Sequence, residues 1–99
     1  MERTLKIGMR VAVVLERMRR RHLMLVRQAS QAPEAIERGG GYLYATYPDD
    51  RTVSPAVGKF LIDAGIVASK RDDLFGDIDG GGQVYILANP LPPIAGLER

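Results

Sequence analysis

The stretch "TVSPAVGKFLIDAGIVASKRDDLFGDIDGGGQVYIL", residues Thr52 to Leu87, decides the fold. It opens as a capped helix. Ser54 is a preferred N-cap, and Pro55 suits the first helical position because its fixed φ is already helical and its missing N–H has no partner there. Val57, Phe60, Leu61 and Ala64 recur at spacings of three and four, which makes one apolar stripe and turns Ala56, Lys59 and Asp63 outward. Gly65 stops the helix with a positive φ, and Ile66 and Val67 return to the core. "IVASK" and "QVYIL" then read as the two arms of a hairpin. Between them "RDDLFGDIDGGG" is long for a hairpin tip and rich in Gly and Asp. Leu74 and Phe75 within it are too apolar to hang free of the body.

Working upstream, "YLYATY", Tyr42 to Tyr47, is the strongest strand signal in the chain. The pleat assigns Tyr42, Tyr44 and either Thr46 or Ala45 to its faces. "PDDR", Pro48 to Arg51, closes it as a turn, with Pro48 setting the backbone and Asp49 and Asp50 supplying turn-forming carboxylates. Before the strand, "SQAPEAIERGGG" reads as a short helix preceded by Ser30 or Gln31, with Pro33 in its first turn and Glu34 where the helix dipole favours acid. Gly39, Gly40 and Gly41 end it.

The N-terminal third carries a longer amphipathic helix. Thr4 is its candidate N-cap, and Ile7, Val11, Val14, Leu15 and Met18 form its apolar stripe. Lys6, Arg10, Arg17 and Arg20 share a face away from that stripe. The same register brings in His22, Leu25 and Ala29, so the helix can run past Arg21. "HLMLV" is apolar at four consecutive positions, which also fits a buried strand. The absence of Gly and Pro from residues 9–32 favours continued helix. At the other end, "NPLPPIAGLER" reads as an extended Pro-rich tail, with Leu91, Ile94 and Leu97 able to latch onto an apolar groove or onto a second copy of the chain. Residues 1–88 are therefore expected to form the domain and residues 89–99 the tail.

The whole chain bounds these readings. Its 99 residues make one domain, with hydrophobic and charged fractions of 45% and 26% that are ordinary for a globular protein. It contains no cysteine, which excludes disulfides, thiolate metal sites and a cysteine nucleophile, and suits a cytoplasmic location. No apolar run approaches the roughly 20 residues that span a bilayer, so no membrane partner is expected. The net charge of +2 is uneven: residues 1–50 hold nine Lys or Arg against six acids, and "RMRRRH", Arg17 to His22, concentrates the excess. A mild basic bias of this kind permits nucleic acid as a partner.

From Tyr42 onward the chain resembles a winged helix-turn-helix domain. The residues that carry the resemblance are "SPAVGKFLIDAGIV" as a recognition-type helix with its Gly stop, and "ASKRDDLFG" with "GGQVYIL" as two wing strands. The chain also looks like small proteins of phage or mobile-element origin that use this fold. The resemblance implies an α+β, winged-helix-like domain that binds DNA in transcription regulation. A winged-helix protein usually carries a further helix just before the recognition helix; here "YLYATY" and "PDDR" stand in its place. The residues placed to contact DNA are Arg17, Arg20 and Arg21 at the end of the first helix, Ser54 and Lys59 on the second strong helix, and Lys70 and Arg71 on the wing.

Other chemistry reads weakly. Asp63 on the helix and Asp72, Asp73, Asp77 and Asp79 on the wing oppose phosphate. "DIDGGGQ" supplies Asp77 and Asp79 to a calcium loop but lacks the distant Glu, so no metal is expected. The triple glycine lacks the Lys-Ser or Lys-Thr of a phosphate loop. His22, the single histidine, falls on or beside the apolar stripe and reads as a satisfied side chain rather than a base. No nucleophile has an activating context, so neither an enzyme nor a cofactor is expected. The alternative to DNA binding is a protein-interaction module, a homodimeric adaptor or phage-derived inhibitor, to which the acidic loop, the tyrosines and the apolar tail all point.

Overall fold

In the computed structural model, which describes residues 4–69 and 83–95, the first helix begins later and stops sooner than its periodicity suggests. Helix α1 spans Met9–Arg21 with Gly8, not Thr4, at its N-cap. Leu5 instead forms an isolated bridge with Ile94, and its N–H donates to the carbonyl of Pro93 at 2.8 Å. At the far end His22 takes a left-handed conformation (φ 56°, ψ 47°), and the N–H groups of His22 and Leu23 both donate to the carbonyl of Met18. Arg19, Arg20 and Arg21 fill the last turn, where cations offset the dipole. His22 is thus an exposed cap residue and not part of the apolar stripe.

Residues 22–32 do not continue the helix. Met24–Ala29 is strand β1, and it pairs antiparallel with two neighbours. The reason is the four-residue apolar run. A helix can hide only two of those side chains on one stripe, whereas a central strand directs Leu25 to one face of a sheet and Met24 and Val26 to the other. Tertiary pairing on both sides overrides the helical register.

Helix α2 (Pro33–Arg38) follows, with Pro33 in its first turn and Gly39, Gly40 and Gly41 after it; Gly40 and Gly41 have φ of 69° and 95°. Strand β2 (Tyr42–Tyr47) lies where the alternation places it. The turn then occupies residues 48–50, and Arg51 already belongs to a further strand, β3 (Arg51–Val53), which folds back on β2. Helix α3 (Pro55–Asp63) ends before Gly65, whose φ is 76°. Strands β4 (Val67–Ser69) and β5 (Gln83–Leu87) pair antiparallel as expected of a hairpin, although β5 also pairs with β1. Lys70, Arg71, Leu74, Phe75, the "DIDGGGQ" aspartates and Leu97 lie outside the described residues.

The result is an α+β fold with one five-stranded antiparallel sheet in the order β3-β2-β1-β5-β4. Its order of helices and strands differs from the one expected by the added strands β1 and β3. Register fixes the two faces. Leu25 stands beside Thr46 and Tyr85, so these share the inner face with Tyr44, Val53 and Val67. Val11, Val14, Leu15 and Met18 of α1, and Val57 and Leu61 of α3, pack onto that face and close the core. Ile66 and Val67 join it as the sequence indicates, and so does Ile94 from the tail, with Leu91 packed alongside. Helix α2 flanks α3 at one end, where Gly39 lies close under Pro55.

One contact fixes how near α3 comes to the sheet. The Tyr44 ring lies directly beneath Gly58, in space that a Cβ would occupy. Glycine in a helix costs up to about 1 kcal/mol relative to alanine. Here it lets an aromatic ring and a helix share one layer of the core.

Candidate functional site

The cations expected to meet DNA separate into two groups. Arg17 turns inward. Its Nη2 donates to Thr46 Oγ1 at 2.9 Å, and Thr46 Oγ1 donates to Asp49 Oδ1 at 2.7 Å. Arg17 Nε and Asp49 Oδ2 face each other at 3.6 Å, both buried and without a hydrogen bond, and hold each other by charge. Thr46 is only 1% exposed, so its hydroxyl is the hinge of this network. The Thr46 bond, followed by the nearby charges of Arg17 and Arg21, holds the Asp49 carboxyl below the usual carboxylate range against the opposing effect of desolvation. Arg17 therefore ties α1 to the β2–β3 turn. Arg20 and Arg21 stand exposed beside it, and Arg19 pairs with Glu16 at 3.1 Å.

Lys59 lies at the opposite end of β2. Its side chain runs past Gly40, and its Nζ donates to Asp63 Oδ2 at 2.6 Å. That hydrogen bond and the charge of Asp63 raise the Lys59 pKa. Ser54 sits at the N-cap of α3 without a side-chain cap bond. From Tyr42 to Thr46 the strand advances about 13 Å, so the arginine end of α1 and Lys59 do not share one contact track.

Sequence reasoning passed over a third polar group. The Arg27 guanidinium stacks on the Tyr42 ring at 4.0 Å and reaches the Tyr85 ring at 5.3 Å, while its Nε donates to Gln83 Oε1. Tyr85 donates to the same Gln83 oxygen at 3.1 Å. Tyr44, next to this group, donates its hydroxyl proton to the carbonyl of Gly39 at 2.9 Å; burial raises its pKa, and Arg27 offsets part of that rise. These contacts lock β1 to β2 and β5 at the open end of the inner face.

The larger surface is the outer face of the sheet. Register places Met24, Val26 and Gln28 of β1 on it, beside Leu43, Ala45 and Tyr47 of β2. Thr52 extends it on β3, and Val84, Ile86 and Ala68 continue it across β5 and β4. No described helix packs there: the core cluster joins the helices to inner-face residues and leaves out Val84, which is buried. Leu43, Tyr47 and Ile86 are 41%, 45% and 40% exposed. An antiparallel sheet with a solvated face normally alternates apolar with polar. Here most outer-face positions are apolar, with Gln28 and Thr52 the polar exceptions, and the strands put no Lys, Arg, Asp or Glu on that face. A shallow recess of about 350 Å³ crosses it between β1 and β3, with Asp50 at its rim.

A second recess, of about 910 Å³, lies along α1 between Met9, Val13 and the arginines Arg17, Arg20 and Arg21, and there Met9 and Val13 are 80% and 56% exposed. Among the described residues no group of three or more His, Cys, Asp or Glu is placed to hold a metal ion, and no helix is long and apolar enough to cross a membrane. No protein-family model, no curated protein and no solved structure matches this chain.

Proposed function

We propose that this domain is a cytoplasmic, non-enzymatic protein-interaction module, an adaptor or inhibitor that docks through the outer face of its sheet. The observation that carries the reading is a largely apolar sheet face whose strands bear no charged residue, with Asp50 at its rim, and on which no described helix packs. Contiguous apolar surface of this kind marks association sites on folded domains. Phosphate contacts need lysine or arginine, and this face offers none, so its chemistry favours protein over nucleic acid.

The test is a photo-crosslinking amino acid placed at Leu43, compared with the same probe at Ala56 on the exposed side of α3. Protein adducts from position 43 that are absent from position 56, and that disappear when Val26→Glu is added at the centre of the same face, support the reading. Equal yields from both positions, or none from position 43, contradict it.

A second reading is favoured by one feature, the exposed Arg20 and Arg21 at the end of α1. In it the protein is a winged-helix-type, DNA-binding or transcription-associated protein, with α3 and the β4–β5 arms in the parts of recognition helix and wing. Fluorescence anisotropy on a mixed-sequence duplex tests it. The affinity should fall steeply with salt, and Arg20→Ala with Arg21→Ala should flatten that slope. Binding to duplex that ignores both substitutions would remove this reading.

A further inference from the structure

We infer that the exposed side of α1 is a second docking surface, and that its occupant is an acidic amphipathic helix of another protein, lying antiparallel to α1 with its acidic first turn at Arg20 and Arg21. This surface is separate from the outer sheet face and stands or falls independently of it.

Helix α1 has two faces of different use. Val11, Val14, Leu15 and Met18 are buried in the core. At 3.6 residues per turn, Met9 stands about two and a half turns from Met18, which places it on the opposite side of the helix. Val13 and Arg20 share that side, because steps of four and seven residues return to nearly the same direction. A helix that packs by one stripe is ordinarily polar on the other. Here Met9 is 80% and Val13 56% exposed, and no described residue covers them.

Charge divides along the same face. Arg20 and Arg21, both exposed, stand at its C-terminal end, and Arg20 makes no ion pair or hydrogen bond among the described residues. Arg17, at the edge of the recess, is committed to Thr46 and Asp49. Glu16 is the one acid among the described lining residues, and Arg19 offsets it at 3.1 Å. The face therefore reads apolar at one end and basic at the other.

Its complement carries acids first and apolar residues after. In an antiparallel helix, acids in the first turn fall opposite Arg20 and Arg21. Apolar residues about two and three turns on fall opposite Val13 and Met9. A helix favours acids in its first turn, and antiparallel helices set opposite dipole ends together. Amphipathic helices dock through anchors at these spacings, and the recess of about 910 Å³ gives such anchors room. Duplex DNA matches the arginines but sets phosphate, not apolar surface, against Met9, Val13 and Glu16. An anionic bilayer holds a helix in proportion to the apolar area inserted, and two side chains insert little. From Met9 to Arg20 the stripe is about 17 Å long, so the contact is small and transient.

The probe is a synthetic helical peptide, N-acetylated, with Glu through its first turn, Leu on one stripe of the turns that follow, and a fluorophore at its C-terminus. Fluorescence anisotropy against the full chain should show saturable binding with Kd of about 10 μM to 1 mM. Arg20→Ala with Arg21→Ala should weaken it about tenfold and flatten its dependence on salt. Met9→Ser with Val13→Ser should also weaken it about tenfold, with an unchanged circular dichroism spectrum, since both positions are exposed. Leu43→Glu on the outer sheet face should leave it unchanged. The same peptide with Gln in place of Glu should bind at least about tenfold more weakly. No binding up to about 1 mM overturns the inference, as does equal binding of the Glu and Gln peptides, or an affinity that neither pair of substitutions alters. So does binding to phosphatidylserine vesicles or to a mixed-sequence duplex in place of the peptide, or a dimer of this chain that is lost with Met9→Ser and Val13→Ser. Crosslinking from position 43 reads the other surface, so a failure there and a failure here are told apart.

Discussion

Replacing Gly58 by alanine sets two effects against each other, and the structure says which prevails. Inside a helix the change normally stabilises, by about 1 kcal/mol, because alanine loses less backbone freedom on folding. At Gly58 the new Cβ would overlap three ring carbons of Tyr44, the farthest of them 2.7 Å away. The ring has little room to retreat. It is 3% exposed, its hydroxyl is bonded to Gly39 at 2.9 Å, and its edge meets Tyr42 with ring centroids 6.5 Å apart. Overpacking a filled core costs about 1–3 kcal/mol, and an overlap this deep belongs at the upper end. The net expectation is a loss of about 1–2 kcal/mol. In a domain of this size each kcal/mol moves Tm by about 4–8 °C, so Gly58→Ala should melt roughly 5–15 °C below wild type by calorimetry. Added to Tyr44→Leu, which empties the space under the helix, the same substitution should be neutral or stabilising, a coupling that a double-mutant cycle reads directly. A Gly58→Ala protein that melts above wild type would refute the reasoning, since α3 would then not be resting on the Tyr44 ring.

Other consequences follow from the polar groups. Thr46→Val keeps the volume but removes the hydroxyl that joins Arg17 to Asp49, leaving buried polar atoms without their partner; chemical denaturation should show a loss of about 1–3 kcal/mol. The depressed Asp49 carboxyl stabilises the fold above the ordinary carboxylate pKa, and that contribution should fade as pH falls through its lowered folded-state value. Acid unfolding curves should therefore shift to higher pH in Thr46→Val, which removes the bond that depresses Asp49, and an unchanged acid midpoint would contradict the assignment. Tyr44 behaves in the opposite sense. Its folded pKa is raised, so the neutral form stabilises the fold below the ordinary tyrosine value of about 10, and stability should fall as pH climbs past it. Tyr44→Phe should lose that alkaline sensitivity and about 1 kcal/mol with the Gly39 bond, as measured by thermal melts across pH.

The parts of the fold that could be read from the sequence are those whose signals are local. Ser54, Pro55 and Gly65 bound α3 because a cap, a fixed φ and a positive φ are properties of single positions. Tyr42–Tyr47 announces itself by composition and alternation. Strand β1 does not, because its place at the centre of the sheet depends on partners 13 to 60 residues away, Tyr47 through Tyr42 on one side and Val84 with its neighbours on the other. The four apolar residues from Leu23 to Val26 were the available clue: a run without alternation is what a strand covered on both faces requires. Strand β3 is three residues long and merges with the turn before it, which leaves periodicity nothing to measure.

The candidate site divides in the same way. The basic residues Arg17 to Arg21 are conspicuous as a run, but whether each is free depends on what lies opposite. Arg17 meets Thr46, 29 positions away, and becomes a structural strut. Lys59 meets Asp63 one turn on, a pairing the spacing of four does reveal. The outer face was partly legible. Met24 and Val26 beside Leu25, and Val84 and Ile86 beside Tyr85, give apolar side chains on both sides of their strands. What the sequence lacks is the fact that the apolar stripes of α1 and α3 both go to one side.

The account stands on the uncovered sheet face being the surface through which this protein associates. The photo-crosslinking probe at Leu43 tests that most directly. It should yield protein adducts that the same probe at Ala56 does not. Equal yields from both positions, or none from position 43, would contradict it.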